Sequence, residues 1–83
     1  MNNLNVAKIQ LNGDSYEINT GTNLNELLNK LKIQNNKVAI EVNGAIIHKE
    51  KYSKFVLNKN DKVEIVHFIG GGWFYGRYFY NSQ

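Results

Sequence analysis

Apolar and polar residues alternate from the start of the chain: Ala7, Ile9 and Leu11 are separated by Lys8 and Gln10. That period of two predicts a half-buried β-strand. Asn12-Gly13 follows, a dipeptide favoured in tight hairpin turns. Tyr16, Ile18 and Thr20 then alternate with Glu17 and Asn19, which completes a predicted hairpin. The period changes next. Leu24, Leu27, Leu28 and Leu31 fall at i, i+3, i+4 and i+7, one face of a helix. Asn23 and Glu26 have the spacing of a capping box at its start. Asn25, Glu26, Asn29, Lys30 and Lys32 form its wet face. The helix is expected to end near Ile33, where Asn35-Asn36 tolerates the left-handed conformation that stops helices.

Val38, Ile40 and Val42 alternate with Ala39, Glu41 and Asn43 in a third strand. Asn43-Gly44 marks a second turn into a short strand at Ala45-Ile46-Ile47. The polar stretch His48 to Lys54 predicts a turn or short helix. Phe55, Val56 and Leu57 are expected to re-enter the core, and Asn58 to Asp61 to form a loop. Lys62 to Ile69 reads as the last strand, apolar on both faces after Glu64, as a central strand would be. The order β-β-α-β-β-β predicts an α+β fold of the β-grasp (ubiquitin-like) type, a mixed sheet with one main helix. The first and last strands then lie side by side and parallel.

Composition narrows the chemistry. Eighty-three residues make one domain. A chain this short buries only roughly 60% of its unfolded surface. Without cysteine there is no disulfide, no thiolate metal site and no persulfide. Two histidines, His48 and His67, are too few for a metal site, so none is expected. No stretch approaches the ~20 apolar residues of a membrane span. The N-terminus lacks the pattern of a signal peptide, so a cytoplasmic protein with no membrane partner is expected. The net charge of +3 comes from dispersed lysines and a single arginine, Arg77. A nucleic-acid footprint is clustered, and none is expected here. No acid-base pair or nucleophile stands out, so the chain is read as no enzyme and no residue as catalytic.

The last strand runs into Gly70-Gly71-Gly72. Glycine lacks Cβ, so such a segment is slender enough to enter a narrow channel. A chain ending at Gly72 would present an open carboxylate there. Val63-Glu64-Ile65-Val66-His67-Phe68-Ile69-Gly70-Gly71-Gly72, on a β-grasp order, resembles the terminus of the small sulfur-carrier proteins of thiamine biosynthesis, the ThiS family. The resemblance runs over residues 8 to 72. It includes Ile9-Gln10-Leu11-Asn12-Gly13, Gly21-Thr22, Glu26-Leu27-Leu28, Val42-Asn43-Gly44, Ile47 and Lys49-Glu50-Lys51-Tyr52.

The resemblance implies roles. Gly72 matches the terminal, sulfur-carrying glycine, and Gly70 and Gly71 form the flexible tether. An adenylating (E1-like) enzyme would activate the carboxylate with ATP, and no cofactor is bound by the carrier itself. A sulfur donor system would yield a thiocarboxylate, and thiazole synthase would accept the sulfur. His67, Phe68 and Ile69 are candidate partner contacts, with sheet-face packing the plainer reading of His67.

One departure matters. Residues 73–83, Trp73 to Gln83, follow the matching glycine, so Gly72 is an internal amide. The chain divides into a carrier domain, 1–72, and an aromatic extension, 73–83, which a processing protease is expected to remove. Six aromatics and Arg77 lie between Trp73 and Tyr80. One arginine supplies too little charge for a phosphate backbone. Left in water these rings make an adhesive patch, so the extension is expected to fold back beside the last strand. Two other readings remain: a carrier like the small subunit of molybdopterin synthase, and a β-grasp interaction module that docks through its aromatic tail.

Overall fold

A computed structural model describes residues 5–69 and 72–73. Strands β1 (Val6–Leu11) and β2 (Asp14–Asn19) form the first hairpin, helix α1 spans Leu24–Leu31, and β3 (Val38–Val42) and β4 (Ala45–Ile47) form the second hairpin. Strand β5 covers Lys62–Ile69, and a two-residue strand β6 covers Gly72–Trp73. The sheet runs β2-β1-β5-β3-β4, with β6 also pairing β5. β1 and β5 are parallel, with Gln10 opposite Lys62 and Leu11 opposite Val63. The other pairings are antiparallel. This is the predicted mixed β-grasp sheet with one main helix.

Local chemistry explains most boundaries. Asn12 and Gly13 have φ of 50° and 90°, and Asn43 and Gly44 have 54° and 87°. Positive φ at both turn residues is what a type I′ hairpin turn requires. The capping box at α1 is complete: Asn23 Oδ1 accepts from Glu26 N at 2.8 Å, and Asn23 N donates to Glu26 Oε1 at 2.9 Å. The helix ends earlier than the sequence suggests. Lys32, with φ of 62°, takes the left-handed position, and its N–H reaches Asn29 O and Leu28 O. Asn35 and Asn36 belong instead to a 3₁₀ turn, Asn35–Lys37.

The core lies between α1 and one face of the sheet. Leu24, Leu27 and Leu28 pack there with Ile9, Leu11, Ile18, Val38, Ile40, Val42, Val63 and Ile65. Tyr52 joins them from a 3₁₀ segment, Lys49–Lys54, at 1% exposure. The polar composition of that segment hides its one core residue. Val56, by contrast, does not re-enter the core: it is 48% exposed and bridges only to Asn23. Its neighbours Phe55 and Leu57 carry the packing of that stretch.

Candidate functional site

The site is built on β5, the central strand. Its N-terminal half is held along both edges. On the β3 side, Val42 pairs Val63 and Glu41 pairs Glu64, and Asn43 N donates to Lys62 O at 2.8 Å. Lys62 N donates to Asn43 Oδ1 at 2.9 Å, while Asn43 Nδ2 donates to Asp61 Oδ1 at 2.9 Å. On the β1 side, Asn12 N donates to Val63 O at 2.9 Å. The chain of β1 then turns away, and the Asn12 side chain takes over. Its Oδ1 accepts from Ile65 N at 2.8 Å, and its Nδ2 donates to Ile65 O at 3.4 Å. A buried carboxamide thus stands in for a missing strand residue. The Asn-Gly turn signal found the position of Asn12 but gave no hint of this contact across 53 residues.

The C-terminal half is held differently. β3 reaches as far as His67, opposite Val38. Beyond it the chain reverses, so that Ile69 pairs Gly72 and Phe68 pairs Trp73. Gly72 therefore lies in a strand pair at the centre of the sheet's end, and the backbone of Trp73 lies beside the last strand; of the extension expected to fold back, 73–83, only this residue is among the described ones. Gly70, Gly71 and residues 74–83 lie outside the described residues.

The pleat separates the three candidate contact residues. His67 shares a face with Val63 and Ile65, the helix side, and is half-buried there. Burial disfavours its charged form and pushes its pKa below the usual 6.5. Phe68 points to the opposite face and is 40% exposed. It borders a groove of about 220 Å³ with Ala39, Ile46, His48 and Tyr52. Ile46, at 61% exposure, leaves an apolar rim on that groove. Ile69 contributes its backbone to the reversal. The phenol of Tyr52 is raised above 10.0 by burial, with a backbone hydrogen bond at Ile40 acting the other way. Among the described residues no three of His, Cys, Asp and Glu gather into a metal site, and no helix is long and apolar enough to cross a membrane.

In the sequence, the central strand of this β-grasp sheet runs into Gly70-Gly71-Gly72. The ThiS family model matches residues 9–72, beginning in β1 and ending on Gly72, the third glycine of the run. The chain belongs to the ThiS family. It is 42% identical over 66 residues to the sulfur carrier protein ThiS of Bacillus subtilis, covering 77% of this chain and 98% of that protein. The crystal structure of the thiamine biosynthesis protein ThiS from Geobacter metallireducens superposes with a TM-score of 0.70 at 31% identity, over 78% of this chain and 99% of that one. A thiazole synthase of Magnetococcus marinus is 45% identical over 65 residues, covering 78% of this chain. The chain spans only 20% of that protein's length.

Proposed function

We propose that residues 1–72 carry sulfur as a thiocarboxylate on Gly72, once residues 73–83 have been removed. The observation that carries this reading is the family match that stops at Gly72, on a glycine run issuing from the central strand. The freed carboxylate of Gly72 attacks the α-phosphate of ATP in an adenylating enzyme, and pyrophosphate leaves. AMP is a good leaving group, so the inert carboxylate becomes an acyl electrophile. Hydrosulfide released by a sulfur donor attacks the acyl carbon and AMP departs, leaving the thiocarboxylate. Thiazole synthase is the acceptor, a partnership supported by the likeness to a stretch of a protein of that name. The carrier contributes shape: Gly70 and Gly71 lack the Cβ atoms that would jam a narrow channel. Phe68 and Ile46 offer an apolar docking rim beside that tether. His67, turned toward the helix, supports the strand instead of meeting the partner.

The test is mass spectrometry of a chain ending at Gly72, incubated with a ThiS-activating enzyme, ATP and a sulfide source. The expected product has one oxygen replaced by sulfur. No such product, with an activating enzyme that loads its own carrier, would contradict the proposal.

A further inference from the structure

The backbone groups of β5 alternate between its two edges. Lys62 O faces β3, where it accepts from Asn43, and Val63 O faces β1, where it accepts from Asn12. Odd-numbered residues therefore address the β1 side. Ile65 does so through the Asn12 carboxamide. Ile69 has the same parity, and its partner is Gly72. The pair that flanks a hairpin reversal is the one that exchanges hydrogen bonds. Strand β6 thus takes the stretch of β5 edge that β1 leaves open.

Resting on the reading that residues 73–83 are removed, we propose that β6 gates that removal: the Gly72–Trp73 bond is shut against proteases until β6 peels from β5. Proteolysis adds water across this bond. The water oxygen joins the Gly72 carbonyl carbon, the C–N bond breaks, and the amine of Trp73 takes the proton. A protease must hold the residues on both sides in extended form and supply its own backbone hydrogen bonds. Here Ile69 and Phe68 already pair with those residues. The gate is light. Two residues, one of them glycine, make a weak strand. Local opening of such a strand is frequent, and cutting follows the open population. A partner that claims the β5 edge or the Phe68 rim would raise that population, and so couple release of the Gly72 carboxylate to the partner's arrival.

The absence of cysteine in the chain gives a clean test. Phe68 and Trp73 face each other at a position without mutual hydrogen bonds, where Cα atoms lie about 4.5 Å apart, within disulfide range. The full-length double variant F68C/W73C is oxidised, then digested with subtilisin beside its reduced form, and the fragments are reduced and weighed. The oxidised form should be cut between residues 70 and 74 at least about tenfold more slowly, because cutting tracks opening. Equal rates, or failure of the pair to oxidise, would overturn the gate. In the unaltered chain, the Gly72 amide should exchange about tenfold more slowly than in the denatured chain, and free exchange would overturn the pairing. Neither experiment depends on the native protease. An intact 83-residue mass in the native cells would sink the processing reading and leave the strand pairing standing.

Discussion

One strand of this protein has two contrasting ends. At Lys62–Ile65, β5 is gripped by β1, by β3 and by two asparagine side chains. At Phe68 and Ile69 it pairs with Trp73 and Gly72, which follow it in the chain. The first end is held by groups from distant parts of the sequence and can be released only by unfolding. The second is held by its own continuation and can be released by a local reversal. The proposed carrier role needs both: a rigid base that fixes where the glycine run starts, and an end that can be freed.

The contrast predicts a gradient of stability along β5. Ile65→Ala, at 1% exposure, should cost about 2–5 kcal/mol in a denaturant melt. Asn12→Ala should cost about 1–3 kcal/mol, since it strands the Ile65 backbone groups in the core. The same change at Asn43, an exposed residue with the same turn geometry, should cost less. Both side chains hold β5, Asn12 at a buried position and Asn43 at an exposed one, so equal losses would mean that burial of the contact adds nothing to its cost. Phe68→Ala, at the releasable end, should cost about 1 kcal/mol or less, as partly exposed positions do. A loss matching that of Ile65→Ala would erase the distinction between the ends.

His67 stands at the boundary and makes it sensitive to pH. Its folded pKa lies below the unfolded value of 6.5. The unfolded chain therefore binds the proton more readily, and stability falls as pH drops from 6.5 through the folded value. Above 6.5 the contribution is flat. His67→Leu should remove this acid-side slope from a series of melts, and an unchanged slope would assign it elsewhere.

Much of the gripped end was legible in the sequence. Lys62 to Ile69 has the apolar run of a central strand, and both Asn-Gly turns announce their hairpins. The capping box and the leucine stripe locate α1, because they are local patterns with a fixed period. What escaped is non-local or stereochemically atypical. Nothing near Asn12 reveals that its carboxamide serves Ile65. Tyr52 is buried from a lysine-rich segment by contacts made elsewhere. Lys32 takes a left-handed position that its residue type disfavours, while the nearby asparagines do not. At the other end, the tether role proposed for Gly70 and Gly71 comes only from their resemblance to a family terminus. The pairing of Gly72 depends on which edge of β5 remains open, a property of the finished sheet.

The proposed carrier role requires Gly72 to be unavailable within the intact chain and available at the end of a shorter one. ATP–pyrophosphate exchange with a ThiS-activating enzyme measures that directly. A chain ending at Gly72 should support exchange, and the full-length chain should support none above background. Equal exchange by the two forms, with the full-length mass unchanged, would contradict it.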